Sequence, residues 1–229
     1  MSFNTIGYCS LAFLLLSCGP GRFSSSPKNQ VTFEPSNKRR FVIEEDSNGK
    51  IPTGTNLLIN GSFEYPKLAG GWSLHSDSEY DPKLFGWEVA FLNSKPCSVD
   101  SPKNTKGLLE IQRFDKNYQW AELDSHCRVG SVLDTRIVIH QEVILEKGSY
   151  SLSFRYVHRA GDNSARGLHV LFGGQTLNLS NNKEWLTYTA KVTVNKENEK
   201  IVLHVREKGE GNSLGSLVDD FKIIKFKDN

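Results

Sequence analysis

Between Ser149 and His158 the chain alternates at every residue. Tyr150, Leu152, Phe154 and Tyr156 fall on one side, and Ser149, Ser151, Ser153 and Arg155 on the other. Successive side chains of a strand point to opposite faces, so a period of two predicts a strand with one buried face. The same pattern recurs in Leu186, Tyr188, Ala190, Val192 and Val194 against Thr187, Thr189, Lys191 and Thr193, and again in Ile201, Leu203 and Val205. Further strands are predicted over Leu57 to Glu64, Phe85 to Phe91, Gly107 to Gln112, Trp120 to Leu123, Arg136 to Leu145, Gly167 to Phe172 and Leu217 to Phe226. Turn chemistry separates them: Glu146-Lys147-Gly148, Gly161-Asp162-Asn163, Gly173-Gly174 and Gly209-Glu210-Gly211-Asn212. No long stretch carries helical spacing. About ten short strands in roughly 175 residues predict an all-β sandwich. A first strand paired with the last would make it a jelly roll.

The front of the chain reads differently. Residues Ile6 to Leu16 form an apolar run that Gly19-Pro20-Gly21 ends. It is shorter than the roughly 20 apolar residues of a membrane-spanning helix. Leu15-Leu16-Ser17-Cys18-Gly19 resembles a bacterial lipoprotein signal, in which a hydrophobic segment and small residues precede a cysteine that receives a lipid. The resemblance implies that residues 1–17 are removed, that Cys18 carries palmitate or a related acyl chain, and that the protein works outside the cytoplasm on a membrane. Gly19 stands where aspartate signals inner-membrane retention, which points to the outer membrane, on its periplasmic or surface face. An ordinary signal peptide and a buried apolar segment are the alternatives, since the first five residues carry no Lys or Arg. Residues 18–53 are rich in Ser, Pro, Asn, Gly and charge, a composition that buries too little apolar surface to fold alone. They are read as a tether, with a short strand possible at Phe41-Val42-Ile43, and residues 54–229 as the sandwich domain.

Charge narrows the partners. The formal net charge is +2, and the surplus lies in residues 1–53, which hold six basic and four acidic side chains. A formally neutral domain lacks the positive field on which nucleic-acid binding draws, so that class of partner is excluded. Hydrophobic residues make up 38% of the chain. Of four cysteines, Cys9 falls in the signal and Cys18 is the lipid site, which leaves Cys97 and Cys127. A remaining pair in an exported domain reads as a disulfide. Its loop of about 30 residues would stabilise by about 3 kcal/mol. The alternative, a catalytic thiol at Cys127, needs a histidine, and adjacent His126 would point to the other face of a strand.

Asn56-Leu57-Leu58-Ile59-Asn60-Gly61-Ser62-Phe63-Glu64 resembles the opening strand of carbohydrate-binding-module-like domains with a galactose-binding-like jelly roll. Ser213-Leu214-Gly215-Ser216-Leu217-Val218-Asp219-Asp220-Phe221-Lys222-Ile223 resembles their closing strand. Between these lie Gly86-Trp87, Leu109-Glu110-Ile111-Gln112, Ala121-Glu122-Leu123-Asp124-Ser125-His126 and Tyr150 to Tyr156 followed by Arg159, an order similar to exported bacterial domains related to the DUF642 group. The resemblance covers about residues 56–226. It implies a non-catalytic module that binds carbohydrate, and a structural calcium ion held by Glu64 and Asp219. Asp219 shares its period-two face with Phe221 and Ile223, which predicts that it points inward. Calcium takes six to eight oxygens, and carboxylates with backbone carbonyls suit it; a hydrogen-bonded or Arg-paired aspartate without an ion is the alternative. The six histidines show no short ligand spacing, which speaks against a transition metal.

Aromatic faces pack on the C–H face of a sugar ring, so the candidate binding residues are Trp72, Tyr118 and Trp120, with Arg159 from the resembled pattern. Trp72 and Tyr118 lie near turns and are expected to be exposed; Trp87 and Trp185 lie in strand patterns and are expected in the core. Gln119, Glu122 and Asn117 are the candidate hydroxyl-binding groups. For Arg159 the competing role is a salt bridge that pins a loop. Glu110, Asp115, Glu122 and Asp124 could supply a hydrolytic carboxylate pair. No nucleophile elbow, zinc motif or phosphate loop accompanies them, so the chain is read as a non-enzyme. An adhesin-like surface lipoprotein that meets a protein partner is the second reading.

Overall fold

The computed structural model describes residues 54–91, 108–115, 118–124, 137–159, 167–180, 182–208 and 214–226, and the backbone of 41–45. Cys18, Cys97, Cys127, Asn117 and most of the stretch read as signal and tether lie outside the described residues. The described strands are β1 (Phe41–Glu45), β2 (Trp72–His75), β3 (Glu88–Phe91), β4 (Leu109–Asp115), β5 (Tyr118–Glu122), β6 (Ile137–Leu145), β7 (Gly148–His158), β8 (Leu168–Phe172), β9 (Gln175–Leu179), β10 (Leu186–Val194), β11 (Glu199–Glu207) and β12 (Ser216–Lys225). They form two antiparallel sheets, a seven-stranded one in the order β1-β10-β7-β12-β5-β4-β2 and a five-stranded one in the order β3-β6-β11-β8-β9. The architecture is an all-β jelly-roll sandwich.

The alternating patterns fix which faces meet. In β7, Tyr150, Leu152, Phe154 and Tyr156 are buried; in β10, Tyr188, Ala190, Val192 and Val194; in β11, Ile201, Leu203 and Val205. At the centre, Phe154 stacks on Phe221 with ring centroids 4.9 Å apart, and Phe63 stacks on Trp87 at 5.4 Å. β1 begins at Phe41 and pairs with β10, so the seven-stranded sheet reaches upstream of residue 54.

Two predicted elements differ. Phe85 to Phe91 is strand only from Glu88; before it, Pro82–Phe85 makes one helical turn, α1, started by the Asp81 side chain on the Lys83 amide and ended by Gly86 at φ 77°. Leu57 to Glu64 forms no strand. The Asn56 carboxamide takes over the ladder: its nitrogen donates to Phe221 O at 2.9 Å, and its oxygen accepts from the Ile223 and Leu58 amides. Asn60 and Phe63 then take left-handed φ values of 51° and 52°, and the Asn60 side chain binds Tyr65 and Phe85 backbone groups. The segment therefore docks on β12 through the Asn56 side chain and two backbone bonds, Leu57 N–H to Ile223 O at 2.9 Å and Phe221 N–H to Gly61 O at 2.8 Å. A Cβ at Gly61 would lie 2.0 Å from Phe221 O, so the contact admits only glycine.

Candidate functional site

The outer face of the seven-stranded sheet carries an aromatic groove of about 480 Å³, lined by Phe114, Tyr118, Trp120, Arg155, Trp185 and Asp219. The hairpin of β4 and β5 builds one side. A register shift between Arg113 and Asp115 accompanies Phe114, whose ring stacks on Trp120 at 5.6 Å and 29°. Trp120 then meets Trp185 at 5.6 Å, and the Arg155 guanidinium lies over the Trp185 ring at 4.8 Å. The hairpin is anchored from below. Arg113 Nη1 donates to Leu68 O and Ala69 O at 2.6 and 2.7 Å, and buried Gln119 holds Leu68 N and the carbonyls of Phe63 and Pro66.

Asp219 stands at the end of the groove, opposite Arg155 in the β12–β7 register, with Oδ2 3.9 Å from Arg155 Nη1. It is 7% exposed. Burial first, then the negative charge of Asp220, push its carboxyl up to about 7. A second pocket of about 410 Å³ shares Tyr118, Arg155 and Asp219 with the groove and adds Ser62, Glu64, Lys67 and Asp220.

The expected inward orientation of Asp219 is corrected by a bulge. Pairing slips by one residue between Asp219 and Lys222, with Asp220 at φ 55°. Buried Val218 and Phe221 both belong to the core, so parity reverses between them, and Asp219 falls on the groove face. Glu64 and Asp219 line one pocket. The fit to calcium is partial: Arg155 and Lys67 line the same pocket, and Glu64 Oε1 already accepts from Gln119 N–H at 3.1 Å. Among the described residues no group of three or more His, Cys, Asp and Glu side chains is gathered to hold a metal ion.

Behind the aromatic wall lies a polar cluster. Glu110 and Glu122 sit directly opposite each other on β4 and β5, and both are 0% exposed. Arg159 Nη1 donates to both Glu122 oxygens, at 3.1 and 2.9 Å, and Gly215 N–H donates to Oε1 at 2.8 Å. Gln112 Nε2 donates to Glu110 Oε1 at 2.9 Å and to Glu122 Oε2, while its oxygen accepts from Trp120 Nε1–H at 2.9 Å. Burial first, then the charge of Glu110, push Glu122 up to about 8, against the opposing pull of Arg159.

Tyr118 and Trp120 are thus brought into the groove, and Trp72 is not among its lining residues. Trp72 is 53% exposed and opposes Gln112, which opposes Trp120, so it continues the same cross-strand row. Trp72 and Tyr118 are the first residues of β2 and β5 and are exposed. Arg159 is a salt bridge to Glu122 and lines neither described pocket. Gln119 and Glu122 are buried and hold the scaffold, so neither offers itself to a hydroxyl group. Glu110, Glu122 and Asp124 are all enclosed, and the Asp115 side chain lies outside the described residues. Trp87 is core as expected, but Trp185 is half-buried in the groove wall. Phe114, Arg155 and Trp185 were missed as site residues. Arg155 alone had a signal, as the large cation on the polar face of an otherwise serine-lined strand.

No protein-family model matches the chain, and no curated protein matches it in sequence. Solved structures are similar at low identity. A CBM4 module aligns at 16% identity over 73% of this chain and 99% of its own, with a TM-score of 0.43. A CBM61 module in complex with β-1,4-galactotriose aligns at 18% over 75% of this chain and 99% of its own, with a TM-score of 0.36. The CBM22-1 xylan-binding domain from Paenibacillus barcinonensis aligns at 13% over 79% of this chain and 100% of its own, with a TM-score of 0.34.

Proposed function

We propose that this chain is a non-catalytic carbohydrate-binding module, held outside the cytoplasm by a lipid on Cys18, that grips a sugar chain in the aromatic groove. One observation carries the reading: Phe114, Tyr118, Trp120 and Trp185 present ring surface around Arg155 and Asp219, a wall of aromatics with one polar pair at its end. Pyranose C–H faces pack on such a wall, and an adjacent carboxyl and guanidinium bind hydroxyl groups. Phe114 and Tyr118, at 75% and 57% exposed, are already open to solvent. The Glu110–Glu122 pair is enclosed, with Arg159 bound to Glu122, which speaks against hydrolysis. Trp72 extends the platform two strands beyond Trp120, about 10 Å at the usual strand spacing. A glycan array and calorimetry with the full chain test the proposal. Binding of an oligosaccharide such as β-1,4-galactotriose, xylotriose or panose, lost in Trp120→Ala, is the expected result. Binding of a host matrix protein with no glycan signal would replace it with the adhesin reading. Incorporation of labelled palmitate, lost in Cys18→Ser, tests the anchor.

The calcium ion at Glu64 and Asp219 belongs to the same proposal, supported by the pocket that Glu64, Asp219 and Asp220 line together, in which a bound divalent cation would hold the buried Asp219 carboxyl ionised. Calcium should then raise the melting temperature of the wild type and leave Asp219→Asn unmoved. Equal melting curves in calcium and in chelator would remove the ion from the proposal.

A further inference from the structure

The aromatic groove and the second pocket are not separate. Tyr118, Arg155 and Asp219 line both, so the two spaces meet at one wall. At about 480 and 410 Å³, each alone reaches the size of a small-ligand site, about 300–1,000 Å³. Their linings differ in kind. Beyond the shared wall the groove has Phe114, Trp120 and Trp185, whereas the pocket has Ser62, Glu64, Lys67 and Asp220. Their directions differ as well. Trp72, Gln112 and Trp120 oppose one another across β2, β4 and β5, and Asp219 opposes Arg155 across β12 and β7, so the aromatic row runs across the strands. Tyr118 stands two residues before Trp120 on β5, about 7 Å along the strand. The pocket takes in Tyr118 without Trp120, and so lies off the row, on the side of the opening segment.

We propose that the two spaces form one site for a branched glycan: the backbone crosses the strands on the aromatic rings, and a neutral sugar branch turns along β5 into the polar pocket. This ligand class rests on the carbohydrate reading of the groove and goes beyond it. A linear chain that follows the aromatic row passes the pocket by.

The pocket's chemistry selects a neutral branch. Glu64, Asp219 and Asp220 bring carboxyls, while Lys67 and Arg155 bring cations, and Lys222 Nζ lies 3.5 Å from Asp220 Oδ1. A carboxylate or sulfate group on the sugar would meet three carboxyls, and an ammonium group would meet Lys67 and Arg155. A hydroxyl both donates and accepts, so either sign serves it. Two of the carboxyls are already oriented. Glu64 Oε1 accepts from Gln119 N–H at 3.1 Å, and Asp219 Oδ1 accepts from Asp220 N–H at 2.7 Å, which leaves the second oxygen of each without a backbone partner. Among the described residues the Ser62 hydroxyl and the Lys67 ammonium have no hydrogen-bond partner, so a ligand gains both without breaking a bond. No ring lies in this pocket beyond Tyr118, so hydrogen bonds rather than stacking hold the branch.

Calorimetry on the full chain with matched pairs of oligosaccharides tests the branch. Each pair has one backbone, β-1,4-xylan, β-1,4-mannan or β-1,4-galactan, with and without a single neutral sugar branch on an inner unit. Calcium is held constant throughout, so the ion proposed for the same pocket does not enter the comparison. In at least one pair the branched member should bind about tenfold more tightly than the linear one, the gain of one to two hydrogen bonds at about 3- to 10-fold each. Lys67→Ala should lower that ratio, and Ser62→Ala combined with Lys67→Ala should bring it close to one. Trp120→Ala should weaken both members, because the backbone loses its central ring. Linear members that bind as tightly as branched ones in every pair overturn the branch and leave the carbohydrate reading standing. A preference for the branch that survives the double variant puts the branch elsewhere and also overturns the proposal, as does a branched ligand that keeps its full affinity in Trp120→Ala. Lys67→Glu guards against a silent alanine variant: it replaces a donor with an acceptor, and an unchanged ratio there counts against the pocket as well. If no member of any pair binds, the carbohydrate reading fails and the branch with it.

Discussion

Two tryptophans separate what a residue type means from where it stands. Trp87 is 2% exposed, stacks on Phe63 and donates its indole N–H to Asn60 O at 3.0 Å. Truncation there leaves a cavity between the sheets, so Trp87→Ala should lose about 3–5 kcal/mol in denaturant unfolding. Trp185 lies half-buried on the outer face, with Arg155 over its ring. Trp185→Ala should cost about 1 kcal/mol of stability but weaken oligosaccharide binding about tenfold or more, the scale of an aromatic hot spot. A stability loss for Trp185→Ala as large as that for Trp87→Ala would place both in one core. The sequence alone offered no way to tell them apart. Both sit next to alternating apolar residues, and the distinction depends on a neighbour, Arg155, that lies thirty positions away in the chain and one strand away in space.

At the scale of the strand, one extra residue decides the site. Alternation was legible along β7, β10 and β11, and their buried faces are the ones the pattern names, whereas the short strands β2 and β9 were not predicted. Along β12 it fails at Asp220, because a bulge inserts a residue and exchanges the faces beyond it. Read without the bulge, Asp219 joins Phe221 in the core; with it, Asp219 joins Arg155 at the groove. The opening segment misled for a related reason. Leu57-Leu58-Ile59 has strand composition, but the Asn56 side chain takes ladder positions on β12 and the Asn60 side chain closes a turn onto Tyr65, so only Leu57 makes a ladder-like backbone bond. The bulge makes a testable demand on its own backbone. Asp220 occupies φ 55°, which Asp and Gly tolerate and a β-branched residue does not. Asp220→Val should lose about 1–2 kcal/mol and weaken ligand binding by turning Asp219, whereas Asp220→Gly should keep binding. Equal binding in the two variants would detach the bulge from the groove.

For the whole molecule, the enclosed carboxyls set how stability depends on pH. Glu122 moves from an ordinary 4.5 up to about 8 on folding, and Asp219 from 3.8 to about 7. A group whose pKa is raised by folding holds its proton more tightly in the native state. Its contribution is complete below the unfolded value and is lost as pH rises through the folded one. Stability should therefore fall from about pH 4.5 towards pH 8, by at most about 1.4 kcal/mol per pH unit for each group. His75 and His204 act in the opposite sense. Burial lowers both, and His140 lowers His204 further, so protonation of either opposes the fold below its ordinary 6.5. The maximum should lie on the acid side of neutrality, where the carboxyls are still protonated and the histidines still neutral. A difference measurement isolates the buried pair. In chelator, so that no ion competes at Asp219, the melting temperature of Glu122→Gln minus that of the wild type should climb between pH 5 and pH 8 and level off above it. The amide cannot ionise, and the wild type alone meets the cost of ionising the buried Glu122. A difference that stays constant from pH 5 to pH 9 would mean that Glu122 enters the fold already ionised, with Arg159 and Gly215 sufficient to hold it.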